Sequence, residues 1–197
     1  MITVTEKIRQ IMDCALENGA THVAVISPYD VTVKNHFADF CSEPKCPGYG
    51  KSMSCPPNVS GPEGFRRKLA ASQYAIVIRL EVDKASMMGR ERHDVFRILQ
   101  ELAAETEQKA KSLGFTGSEG FAAGSCKLSF CKKYDHCQVL HGNGECRHPD
   151  SARPSMSGFG VDVGKLMKSV GWSSTFLKNA DQQEDQMTWV AALVTLR

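Results

Sequence analysis

Eight of the 197 residues are cysteines, and seven of them fall in two tight groups. The first reads Cys41-x4-Cys46-x8-Cys55-Pro56-Pro57, with Pro47, Gly48 and Gly50 between the thiols. Thiolates are ligands for soft metals, zinc and iron–sulfur clusters. A ligand thiolate needs backbone N–H donors around it to spread its charge, and a glycine-rich loop can aim several at one point. Proline directly after a ligand cysteine recurs in iron–sulfur loops, where it fixes φ and removes a competing donor. Three thiols are one short of a closed set. A structural zinc site would need a fourth ligand, such as His36 or a cysteine of the other group. A [4Fe–4S] cluster held by Cys41, Cys46 and Cys55 alone would leave one iron open.

The second group, Cys126-x4-Cys131-x5-Cys137-x8-Cys146, supplies four thiols in 21 residues. Four thiolates suit tetrahedral zinc or a closed [4Fe–4S] cluster equally in number. Zinc ribbons use tight C-x2-C knuckles, and none is present here, so the spacing favours a cluster, with zinc as the alternative. His136 and His141 lie inside the group and are more naturally neighbours than ligands. Lys127, Lys132, Lys133 and Arg147 surround it, and their charge would offset that of a metal–thiolate centre. Arg147 and Arg153 are candidates for binding an anion, because guanidinium matches planar and tetrahedral oxyanions. They could equally tie the loop to backbone carbonyls. Cys14 stands apart on an apolar helical stripe and reads as a small buried hydrophobe.

The elements that must position these loops can be read from periodicity. Val4, Ile8, Ile11, Met12 and Ala15 recur at helical spacing within residues 3–18, with Thr3 and Glu6 at capping-box distance. A short strand is expected at 22–26, and a helix opened by Ser60-Gly61-Pro62-Glu63. In Tyr74 to Val82, Ile76, Ile78, Leu80 and Val82 point one way while Arg79 and Glu81 point the other, the strand pattern. The longest helix is expected over about 90–113, closed by Gly114, and another over about 162–170 with Asp162 as N-cap and Gly171 as stop. Residues 173–187 read as loop, and Trp189 to Leu196 as a final apolar strand. Strands and helices alternate, so the expectation is a single central sheet flanked by helices, α/β or α+β. The whole chain, 1–197, reads as one metal-binding domain with cysteine loops at 41–57 and 126–149.

Composition narrows the function classes. Hydrophobic residues make up 42% and charged residues 23%, which argues against disorder. The net charge of +2 gives no reason to expect a nucleic-acid or membrane-surface partner. No apolar run approaches the ~20 residues that span a bilayer, and the N-terminal residues are charged where a signal peptide is apolar. The expectation is a cytoplasmic protein, where grouped thiols are metal ligands more often than disulfides.

The two blocks together are distinctive. C-x4-C-x8-C-P-P followed by Cys126…Cys146-Arg147-His148-Pro149…Ala152-Arg153-Pro154-Ser155-Met156…Gly160-Val161-Asp162-Val163 resembles a bacterial and archaeal family described as predicted metal-binding proteins of unknown function. The resemblance spans residues about 37–172. It implies Cys41, Cys46, Cys55, Cys126, Cys131, Cys137 and Cys146 as ligands and leaves Cys14 outside. This chain departs from the family at the wider first gap of the second block, and at Ser157-Gly158, where members tend to carry Glu. Three functions follow from the residues. The first is an iron–sulfur redox or electron-transfer protein holding one or two [4Fe–4S] clusters, with a redox protein or a small molecule as partner. The second is an enzyme using an open iron on the three-cysteine group. The third is a zinc protein of structural or metal-transfer type.

Overall fold

The computed structural model describes residues 2–42, 46–142, 144–175 and 186–197. The polar stretch read as loop at 173–187 is described only at its flanks, where 173–175 and 186 carry no regular structure and Met187 already belongs to the last strand.

Helix α1 (Val4–Glu17) starts where Thr3 accepts a hydrogen bond from the Glu6 N–H, the cap anticipated from sequence. Strand β1 (His22–Ile26) and a short helix α2 (Asn35–Ala38) lead to a 3₁₀ turn (Asp39–Cys41). Helix α3 (Gly61–Ala70) begins at the Gly61-Pro62 step, and Ser60 makes no side-chain cap there, unlike the expected capping box. Strand β2 (Tyr74–Asp83) runs into α4 (Lys84–Met88), capped by Asp83, and then the long α5 (Arg92–Ser112). The remaining elements are β3 (Glu119–Phe121), α6 (Cys126–Ser129), a 3₁₀ turn (Met156–Phe159), α7 (Val163–Ser169) and β4 (Met187–Leu196).

The four strands form one sheet in the order β1-β2-β4-β3, every pair antiparallel. The expected central sheet flanked by helices is therefore of the α+β kind. β4 and the first half of β2 are buried on both faces, so Ala75–Ile78 and Trp189–Val194 read as unbroken apolar runs, while Arg79 and Glu81 alternate with Leu80 and Val82 in the half-buried second part of β2. On one face Ile76, Ile78, Val190, Ala192 and Val194 pack against Ile11 of α1 and Leu99, Leu102 and Ala103 of α5. On the other, Ala75, Val77, Ala191 and Leu193 meet Phe65 of α3, Phe159, and Leu166 and Met167 of α7. Phe65, Phe121 and Phe159 form an aromatic triangle there, two of its three contacts edge-to-face. Among the described residues no helix is long and apolar enough to cross a membrane.

One buried ion pair ties the second cysteine loop to this frame. Arg153 Nε donates to Glu107 Oε2 at 2.6 Å, and Glu107 also accepts from the Gly120 N–H and from Lys111. Both side chains of the pair are almost wholly buried.

Candidate metal centres

The first loop is shaped by its own backbone. Gly50 N–H donates to Pro56 O at 2.7 Å, Cys55 N–H to Ser52 O, and Asn58 Nδ2 closes the turn onto Ser52 O. Residues 43–45 of this loop lie outside the described residues. Cys41 and Cys55 are buried and Cys46 half-buried, and the three thiols line one cavity of about 860 Å³. Burial pushes the Cys41 thiol up to about 11, and the neighbouring Cys46 and Cys55 push the same way. A neutral, water-poor thiol of this kind is a latent ligand that a metal would deprotonate.

The second loop leaves the outer strand β3 and turns at once into α6. Cys126, Cys131, Cys137 and Cys146, all half-buried, line a separate, much smaller void of about 20 Å³. Phe130 N–H bonds back to Cys126 O, Tyr134 N–H to Cys131 O and His141 N–H to Cys137 O, so each thiol sits at the head of its own turn. Burial raises the Cys126 and Cys131 thiols. Cys137 goes the other way: burial opposes its ionisation, but N–H groups of Leu140, Met53 and Val139 and the charge of Arg147 outweigh it and lower its pKa. His148 N–H donates to Cys146 Sγ at 3.4 Å. Backbone N–H groups on sulfur are what a thiolate ligand requires.

The two cavities share a wall. Ser52, from the first loop, lines the four-thiol void. Ser52 and Ser54 lie near enough to Cys126 to draw its raised pKa partly back, although the buried Ser52 Oγ has no partner in full hydrogen-bond geometry. Met53 supplies one of the N–H groups on Cys137, and Cys55 Sγ donates to Ser125 Oγ at 3.3 Å. Gly48 fits this contact because a Cβ there would stand 2.8 Å from the Ser125 Cβ.

Lys127 is the charge built into the second site. It is buried, lines the void, and donates from Nζ to Cys131 O at 2.9 Å and Tyr134 O at 2.5 Å. Among the described residues no carboxylate lies within ion-pair distance of it. A buried cation without a counter-ion, set among four thiols, complements a negative metal–thiolate unit. Together with the orphaned Ser52 hydroxyl and the N–H groups on sulfur, it makes the donor set fit a thiolate-bound metal centre.

The arrangement also bears on size. Sulfurs around one tetrahedral zinc are about 3.8 Å apart, from its Zn–S bond length. Among the described residues no three Cys, His, Asp or Glu side chains stand close enough to hold a single ion. The four-thiol void has room for about one water-sized particle, so a larger inorganic core there would push the loops outward.

The other sequence candidates are placed as follows. Arg147 Nη1 donates to His136 O and the guanidinium lies over the Tyr134 ring at 4.2 Å, so Arg147 braces the loop while also lining the four-thiol void. Arg153 spends its donors on Glu107 and on the carbonyls of Pro149 and Ala152. His36 is exposed and stacks on Phe37, and His136 and His141 stack on each other at 4.4 Å. None of the three histidines lines either thiol cavity. Cys14 lies in α1 away from both loops, with Asn18 Nδ2 on its sulfur.

Sequence reasoning missed Ser52 and Ser125, which look like ordinary loop serines until the loops are brought together. It also missed Arg90, Arg92 and His93, which line the larger cavity from the start of α5. Their signal in the sequence was a basic cluster at a helix start, which by itself also describes a solvated turn. Neither a curated protein nor a solved structure matches the chain. Residues 24–195 match the model of the family described as predicted metal-binding protein (DUF2284), and the chain belongs to that family.

Proposed function

We propose that this protein is an iron–sulfur redox protein in which Cys126, Cys131, Cys137 and Cys146 hold one centre and Cys41, Cys46 and Cys55 hold a second. The observation that carries the reading is that seven thiols line two adjoining cavities across the shared wall of Ser52–Cys55 and Ser125–Cys126. When bound, such centres supply reversible one-electron transfer. The chain's own residues set its conditions. Lys127 and Arg147 stabilise added negative charge at the four-thiol group, and the N–H groups of Leu140, Met53 and Val139 do so at Cys137. Phe130 and Val139 keep water from the four-thiol void. The absence of C-x2-C knuckles supports iron–sulfur over zinc.

One contrast favours a second reading alongside this one, that the three-cysteine group also handles a substrate. Its cavity of about 860 Å³ lies in the range of small-molecule sites, about 300–1,000 Å³, while the four-thiol void of about 20 Å³ does not.

The test is the iron, zinc and acid-labile sulfide content of anaerobically purified protein, with an EPR spectrum after reduction. About eight iron and eight sulfide per chain are expected for two cubane clusters. Cys137→Ser is expected to lose about half of both, and Cys55→Ser the other half. Stoichiometric zinc without sulfide would overturn the reading and make the protein a zinc-thiolate module.

A further inference from the structure

The larger cavity has a second wall that thiol chemistry does not use. Arg90, Arg92 and His93, at and just before the start of α5, and Lys132, from the second cysteine loop, line it, and among the described residues no Asp or Glu does. Among the described residues none of the four has a carboxylate within ion-pair distance. Arg66, Lys68, Arg79 and Arg97 are each paired, and other basic residues, Lys127 and Arg147 among them, are not among the described residues; what sets these four apart is that they line one concavity. Basic groups gathered on one concavity repel one another, and an anion seated among them relieves that repulsion. The concavity also has an apolar side. Phe40 and Phe96 line it, and the Arg92 guanidinium lies over the Phe96 ring at 5.3 Å.

We propose that this cavity binds a small molecule with a dianionic oxyanion head, a phosphate monoester or a dicarboxylate, and an apolar body. Arg90, Arg92, His93 and Lys132 take the head, since guanidinium groups present paired donors to such oxygens. Phe40 and Phe96 take the body, and the ligand lies beside Cys41, Cys46 and Cys55. This deepens the second reading above, the cavity as a substrate chamber, and does not depend on which metal the thiols hold.

The experiment is a calorimetric titration of the anaerobically purified chain with phenyl phosphate and with phthalate, with benzyl alcohol as the uncharged comparison. At least one anion is expected to bind one-to-one with a Kd below about 1 mM, and benzyl alcohol at least tenfold more weakly. Binding of phenyl phosphate alone would assign the head to phosphate, and binding of phthalate alone to dicarboxylate. R90Q/R92Q is expected to weaken binding about tenfold or more, and K132Q, on a different element, about threefold or more, while K168Q on α7 leaves it unchanged. If neither anion binds up to about 10 mM, or if R90Q/R92Q and K132Q bind as the parent does, the proposal is overturned. Should R90Q/R92Q fail to fold, K132Q alone decides. Iron and sulfide measured on the same samples separate the two ideas. Iron-loaded protein without anion binding overturns this inference alone, and anion binding by a zinc-loaded protein overturns only the iron–sulfur reading.

Discussion

The Cys55 thiol donates a hydrogen bond to the Ser125 hydroxyl at 3.3 Å, joining two loops whose contact residues are 70 positions apart. Ser125 is the residue immediately before Cys126, so the bond ties a thiol of the first group to the backbone neighbour of a thiol of the second.

That contact is tight enough to be tested by volume. A methyl at Gly48 would stand 2.8 Å from the Ser125 Cβ and 3.0 Å from its Oγ. Gly48→Ala is expected to cost about 1–3 kcal/mol in urea unfolding and to lower metal content at both groups. Ser125→Gly removes the clashing atoms but also the acceptor of the Cys55 bond, so the comparison is made in that background. Gly48→Ala should cost much less stability and loading when added to Ser125→Gly than when made alone. An equal cost of Gly48→Ala in both backgrounds would show that the loops do not meet in this way.

Glu107 and Arg153 hold the far end of the second loop. Removing one member of a buried pair leaves the other charge uncompensated, at a cost of about 3–5 kcal/mol. Glu107→Ala is expected to fall in that range by chemical denaturation. It should also speed loss of metal to a chelator, because Arg153 no longer anchors the segment that follows Cys146. A change within about 0.5 kcal/mol would place the pair outside the load on the fold.

Lys127→Met keeps the length of the side chain and removes its charge and its two bonds to Cys131 O and Tyr134 O. Metal held by the four thiols should leave to a chelator several-fold faster, and the reduction midpoint should move downward by tens of millivolts. An unchanged midpoint would mean that this ammonium does not face the electron-accepting group.

The thiols should titrate apart in reduced, metal-free protein. Cys137 ionises below the usual range, because N–H groups and Arg147 outweigh its burial, while burial holds Cys41 up to about 11. The thiolate is the nucleophile, so iodoacetamide at about pH 8 is expected to label Cys137 first and Cys41 last, read by peptide mass spectrometry. Linkage gives the sign for stability. The folded protein keeps the Cys41 proton after the unfolded chain has lost it. The contribution is therefore complete below the ordinary value of 9.0 and fades as pH rises toward about 11. Cys41→Ser should flatten the stability profile over that interval.

Much of the scaffold could be read from the chain. The Thr3 cap, the alternation at Ile76–Val82, the Asp162 cap and the apolar run ending at Leu196 are local signals, and local chemistry produced them. The antiparallel pairing of every strand was not readable, because alternating helices and strands also suit parallel crossovers and only the register decides. The thiol spacing pointed to two metal-ligand groups but could not show that Ser52 and Met53 reach into the second. That depends on two loops folding against each other. The basic wall of the large cavity was hidden for the same reason: Lys132 and Arg92 are 40 positions apart, and only the fold puts them on one concavity.

The place of β4 sets an order of events during synthesis. Met187–Leu196 lies between β2 and β3 at the middle of the sheet, yet it is made after both cysteine loops. A nascent chain has therefore exposed all seven grouped thiols before the strand that completes their scaffold has left the ribosome. During that interval the thiols are open to oxidants and to the wrong ion. The surface against which both loops are ordered therefore forms only once the strand ending at Leu196 has paired between β2 and β3.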